Sequence, residues 1–115
     1  VNPEPTLVAP VKIVADAHPV QAAALEATVT GRQVSVKLAW WSGVEPCNVL
    51  AGIAIDRSGT AITLTVNEGA AQMGVMCIEI AIYKATIIDL GELDPGTYTI
   101  SATGLTAPVE VTIAG

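Results

Sequence analysis

Alternation of apolar and polar residues runs through most of the chain and predicts β-strands. A period of two is the spacing at which successive side chains point to opposite faces of a strand. The clearest case is residues 34–40, where every second residue is apolar: Val34, Val36, Leu38 and Trp40. The same alternation recurs over residues 25–29, 49–55, 62–66, 98–102 and 109–113. Each stripe predicts a strand with one apolar face turned toward a shared core.

Turn signals separate these stripes. Gly31-Arg32 predicts a two-residue hairpin turn of type II′, which takes Gly at its first central position. Ser58-Gly59 predicts a second hairpin, and the Pro-Gly step in residues 93–96 predicts a tight turn. Residues 42–46 and 68–74 are expected to form longer loops. Short strands with turns at this spacing are typical of a two-sheet antiparallel sandwich, with a barrel as the alternative.

Three further strands are predicted from weaker signals. Residues 78–82 alternate, which predicts a strand with Ile78, Ile80 and Ile82 inward and Tyr83 on the opposite face. Residues 86–90 are expected to form a separate strand after a bend near Lys84, and residues 11–13 an early edge strand. The chain is therefore predicted to be all-β, with seven to nine strands in two sheets.

Length and composition predict one domain with an aliphatic core. The 115 residues are the usual size of a single domain, and 51% of them are hydrophobic although Phe is absent. Residues 1–10 contain three prolines and are expected to form an extended linker or N-terminal arm, with the sandwich over residues 11–115. No apolar run approaches the roughly 18 residues of a membrane-spanning helix.

Charge narrows the range of partners. The net charge is −6, and the five basic residues are spread singly along the chain, so no basic stripe for nucleic acid or anionic membranes is expected. An unknown protein or glycan partner is expected, and no cofactor. Glu110 is the only charged residue in the predicted last strand, residues 109–113, so a monomer and an edge-strand dimer are both consistent with the sequence.

Cys47 and Cys77 are the only cysteines. An even number in a small β-rich chain favours a disulfide, which would stabilise the fold by roughly 3–4 kcal/mol. Two buried free thiols are the alternative. Metal or catalytic use is disfavoured because the chain has no Cys-x-x-Cys pair and only one histidine, His18. A disulfide indicates an extracellular, periplasmic or cell-surface location.

Residues 90–100 read LGELDPGTYTI. This motif resembles the turn into strand F of fibronectin type III and related immunoglobulin-like sandwiches. Together with the order of Cys47 and Cys77, it is similar to bacterial secreted and lipoprotein domains of uncharacterised function. The resemblance covers residues 47–113 and implies a tyrosine corner, in which the Tyr98 hydroxyl bonds back to the preceding turn. It implies a fold and no particular activity.

The inventory of reactive side chains predicts that the protein is not an enzyme. One histidine and no Gly-x-Ser-x-Gly motif leave no nucleophilic triad. Asp89, Glu92 and Asp94 are expected to form a solvated turn, with a weak calcium site as the alternative. Met73 and Met76 beside Cys77 would suit copper(I), but packing of the methionines is favoured and no metal site is predicted.

Trp40-Trp41 is the most suggestive pair, because alternation sends one indole inward and the other outward. The favoured interpretation has Trp41 cover the core edge under the 42–46 loop; the alternative exposes it for contact with a sugar or protein.

The sequence thus predicts a non-catalytic extracellular module with a binding or adhesion role. The alternatives are a carbohydrate- or cell-wall-binding module using Trp41, and a protease inhibitor presenting the 68–74 loop with Met73 as a contact.

Overall fold

The computed structural model describes residues 4–115, and these residues form two β-sheets packed face to face. The described part of the chain contains nine strands. In chain order they are β1 (Thr6–Leu7), β2 (Ala15–Val20), β3 (Ala24–Thr30), β4 (Gln33–Ser42), β5 (Val49–Ser58), β6 (Ala61–Ala70), β7 (Ile82–Glu92), β8 (Gly96–Ala102) and β9 (Val109–Ile113). The prediction of an all-β two-sheet sandwich with seven to nine strands is confirmed.

One sheet has four strands in the order β1-β7-β4-β3, and the other has five strands arranged around β6. Strand β5 pairs with β6 along its length, while β2 and β8 pair with opposite ends of the other edge of β6. The pairings β1–β7 and β6–β8 are parallel, so the prediction of purely antiparallel sheets is wrong there. The reason is that the chain crosses to the other sheet as β7 and returns, so β8 runs in the direction of β6.

The predicted apolar stripes form the core. Val34, Val36, Leu38 and Trp40 of β4 are completely buried, as is Ile100 of β8. They pack in one cluster with Ile62, Leu64 and Val66 of β6. Burying a side chain of this size contributes about 1.5–3 kcal/mol to folding relative to leaving it exposed. Burial of these stripes therefore stabilises the packing of one sheet on the other.

Both predicted hairpins are present. Thr30 pairs with Gln33 around Gly31-Arg32, and Gly31 has the positive φ of +62° that a type II′ turn needs at this position. In the second hairpin Ser58 pairs with Ala61, so the central residues begin at Gly59, one residue later than predicted. Gly59 has a φ of +61°, which glycine adopts without the steric cost that other residues incur.

Two predicted elements before and within β7 are wrong. Ile78 and Ile80 are exposed and lie outside any strand, because β4 ends at Ser42 and offers no partner upstream of Ile82. From Ile82 onward β7 pairs continuously past Lys84, with only a local irregularity near its end, so residues 86–90 are not a separate strand.

The N-terminal region also differs from expectation. Residues 11–13 form no strand and run between β1 and β2. Within the segment expected to be a linker or arm, Thr6 and Leu7 pair with β7 and Val8 packs against the core, while residues 1–3, including Pro3, lie outside the described residues. From Glu4 onward, no helix has the length and apolarity needed to cross a membrane.

Candidate functional site

Trp41 lies on the outer face of the four-stranded sheet, directly opposite Tyr83 in the pairing of β4 with β7. The two rings stack at a tilt, with 4.6 Å between centroids and 37° between planes. Trp41 is 49% exposed, whereas its neighbour Trp40 is buried in the core. The expectation that Trp41 covers the core edge beneath the 42–46 loop is wrong, because alternation along β4 projects it away from the core and Tyr83 supports it there.

A shallow cavity of about 200 Å³ lies beside this aromatic pair. Its floor includes Ala24, Ala39 and the buried Tyr83, and its lining also includes Glu26 and Lys37. Glu26 and Lys37 are opposite each other in the pairing of β3 with β4, so one acceptor and one donor flank the apolar floor. We call the surface formed by these five residues and Trp41 the aromatic face.

The predicted disulfide between Cys47 and Cys77 is confirmed, with an S–S distance of 2.07 Å. Cys47 lies in the loop between β4 and β5, and Cys77 lies between β6 and β7. The bond therefore joins two connections that cross between the sheets, at the same end of the sandwich. An open groove of about 560 Å³ runs beside it and is lined in part by Ser42, Asn48 and Glu79.

Residues 75–81, which we call the tethered segment, are held to the 42–48 loop by this disulfide. Met76 is 99% exposed and Ile78 is 70% exposed. The prediction of a loop over residues 68–74 is wrong at its start, because β6 continues to Ala70 and buries Glu68. Met73 is 68% exposed in the bend that follows β6, outside the tethered segment.

Two buried charged side chains lie near the disulfide end and were missed by the sequence reasoning. Glu68 Oε2 accepts a hydrogen bond of 3.0 Å from Trp40 Nε1 and another from the Ser42 hydroxyl. Lys84 Nζ donates to the Asn48 carbonyl at 2.7 Å and so holds the 42–48 loop to β7. A signal for Glu68 was present, since it continues the inward stripe of β6.

Tyr98 lies near the start of β8, just after the turn that joins β7 to β8, and pairs with Val111 of β9. Its hydroxyl donates a hydrogen bond of 2.8 Å to the Asp94 carbonyl, which is the bond that a tyrosine corner requires. Asp94 also accepts a hydrogen bond from Arg32, at 3.0 Å, and Arg32 Nε donates to the Leu93 carbonyl. Tyr98 therefore has a structural position, anchoring the turn.

Asp89 and His18 lie in different sheets, on β7 and β2. The Asp89 carboxylate accepts a hydrogen bond from the Gly91 backbone, within the strand that carries it, and His18 is exposed on β2. Over residues 4–115 no three His, Cys, Asp or Glu side chains cluster so as to hold a metal ion. Both cysteines are consumed by the disulfide.

Comparison of the chain with protein-family models, with curated proteins and with solved structures finds no match. The most distinctive surfaces of the described residues are the aromatic face and the tethered segment.

Proposed function

We propose that this domain is a non-catalytic extracellular module that binds a carbohydrate on its aromatic face. The observation that carries the proposal is the half-exposed indole of Trp41, seated on Tyr83. An indole combines a large apolar surface with a polar edge, and the C–H face of a sugar ring packs against such a surface. Because Tyr83 already restrains the indole, little side-chain entropy is lost when a ligand binds.

The rest of the aromatic face supplies what a sugar needs beyond stacking. Sites for small ligands combine an apolar lining with a few placed polar groups. Ala24 and Ala39 leave room beside the rings, and the cavity of about 200 Å³ has space for a ring substituent. Glu26 accepts and Lys37 donates, so both kinds of hydroxyl interaction are available at the rim.

An extracellular location is supported by the disulfide, which persists in oxidising compartments and is rare in reducing ones. We also propose that the domain belongs to the immunoglobulin-like secreted domains. The hydrogen bond from Tyr98 to the Asp94 carbonyl, which forms the tyrosine corner, supports this. A binding role without catalysis is supported by the position of His18, which is exposed on β2 in the sheet opposite the aromatic face.

The test is a glycan array followed by calorimetric titration of whichever oligosaccharide binds. Trp41→Ala should weaken binding roughly 30-fold, as expected for a central aromatic contact, while Trp41→Phe should retain part of the affinity. Ile87→Ala is the matched control, because Ile87 is exposed on the same sheet face opposite Lys37. Failure to bind any glycan, or equal binding by Trp41→Ala, would refute the proposal.

Protease inhibition is a second candidate function. It is favoured by a separate observation, the exposed and covalently held tethered segment.

A further inference from the structure

The backbone of the tethered segment is unpaired. Strand β6 ends at Ala70 and β7 begins at Ile82. Within the described residues, 75–80 enter neither a strand pairing nor any other backbone–backbone hydrogen bond. None of residues 75–81 has a positive φ, and Val75, Ile78 and Ile80 are β-branched, a side-chain type that favours extended backbone. The segment thus presents free N–H and C=O groups of the kind that pair with another chain.

The tethered segment is nevertheless held in place at several points. Cys77 is bonded to Cys47, and the Ala71 amide donates to the Pro46 carbonyl at 2.9 Å. The Val75 carbonyl oxygen lies 3.5 Å from Cys47 Sγ, a contact without a hydrogen bond because a disulfide sulfur carries no hydrogen. The loop that receives these contacts is itself anchored by Lys84 through Asn48.

We propose that the tethered segment binds, as a substrate would, in the cleft of an endopeptidase whose primary specificity pocket accepts an unbranched apolar side chain. Met76 occupies that pocket. Its side chain is 99% exposed and lies next to the covalently held Cys77, so it projects from a fixed base. Peptidase clefts take extended peptides, main-chain hydrogen bonds supply affinity and pockets select side chains. The disulfide lowers the entropy lost when the segment is ordered in the cleft.

The same tether makes the segment an inhibitor and a poor substrate. Hydrolysis of the Met76–Cys77 bond adds one water and leaves a carboxylate on Met76 and an amine on Cys77. The disulfide keeps Cys77 in place, and the contacts of Ala71 and Val75 with the 46–47 loop keep the preceding residues beside it. The reverse condensation, which releases that water, is therefore intramolecular and strongly favoured relative to separated ends.

The test is inhibition of two serine endopeptidases by the oxidised protein, one that prefers a large apolar side chain and one that prefers lysine. The wild type should inhibit the first and not the second. Met76→Lys should weaken inhibition of the first roughly 30-fold and create inhibition of the second. Met73→Lys is the matched control, because Met73 is also exposed but lies outside the tethered segment, and it should change neither.

Three outcomes would overturn the proposal. They are no inhibition of the apolar-preferring enzyme, no change of preference in Met76→Lys, and rapid cleavage of the tethered segment while the disulfide is intact. Reduction should convert the inhibitor into a substrate cut after Met76. Trp41→Ala should leave inhibition unchanged, so the result is independent of glycan binding.

Discussion

The indole nitrogen of Trp40 donates a hydrogen bond of 3.0 Å to Glu68 Oε2, and this bond connects the two sheets through the core. Trp40 belongs to β4 in the four-stranded sheet, and Glu68 belongs to β6 in the five-stranded sheet. The same carboxylate oxygen also accepts from the Ser42 hydroxyl at the end of β4. A buried carboxylate is tolerated because these donors replace lost water, and in return it satisfies the indole N–H.

Replacing Glu68 tests this link. Glu68→Ala should lower the free energy of unfolding by about 2–3 kcal/mol, because it leaves a buried indole N–H and a hydroxyl without their acceptor. Glu68→Gln keeps a carbonyl oxygen and should cost about 1 kcal/mol. Urea unfolding measures both. Glu110→Ala, an exposed position on β9, should stay within about 0.5 kcal/mol of wild type. A Glu68→Ala protein as stable as the Glu110→Ala control would contradict this account.

The disulfide closes a loop with a sequence separation of 30 residues. The Cys47→Ala/Cys77→Ala double variant should lose about 3–4 kcal/mol of stability, because the unfolded chain regains the entropy that the cross-link removes. The far-ultraviolet circular dichroism should remain that of a β-protein, since the core stripes of β4 and β6 do not depend on the bond. Chemical denaturation of the variant beside the oxidised wild type measures the difference. Coincident unfolding curves would show that the cross-link adds nothing.

Tyr98→Phe should lower the free energy of unfolding by about 1 kcal/mol, because the ring stays buried while the hydrogen bond to the Asp94 carbonyl is lost. Tyr83→Phe is the control. Among residues 4–115 the Tyr83 hydroxyl has no side-chain hydrogen bond, so its removal should change the free energy of unfolding little. Thermal melts of the two variants give the comparison. Equal melting temperatures would show that the tyrosine corner adds no stability here.

Ile13 and the start of β2 pack closely on Gly69. A Cβ at Gly69 would lie 2.5 Å from Ile13 Cγ2 and 2.9 Å from the Ala15 carbonyl oxygen. Gly69→Ala should therefore cost about 1–3 kcal/mol and loosen residues 11–17, which limited proteolysis would detect as earlier cleavage there.

Gly52 offers a matched control for this substitution. It lies in β5 and pairs with Asn67 of β6, two residues before Gly69. A Cβ at Gly52 meets nothing within 4 Å. Gly52→Ala should leave both stability and proteolysis nearly unchanged. If Gly69→Ala behaves in the same way, the packing of residues 13–15 on β6 is looser than the structure indicates.

Much of this fold follows from local pattern. The period-two stripes of β4 and β6 specify which side chains are inward, because alternation is a property of a single strand. Glycines at 31 and 59 supply the positive φ values of the two hairpins for a similarly local reason. With only two cysteines, no other disulfide pairing was available, although two free thiols were the alternative. The outward direction of Trp41 follows from the same alternation, although its exposure does not.

Pairing between distant segments depends on the folded chain. Residues 78–81 have the alternation of a strand but form none, because a strand needs a neighbour and β4 stops at Ser42. For the same reason the stack of Trp41 on Tyr83 depends on the register of β4 against β7, which neither segment encodes alone. Both candidate sites therefore depend on strand pairing. The aromatic face forms where β4 and β7 pair in register, and the tethered segment remains unpaired because no strand lies beside it.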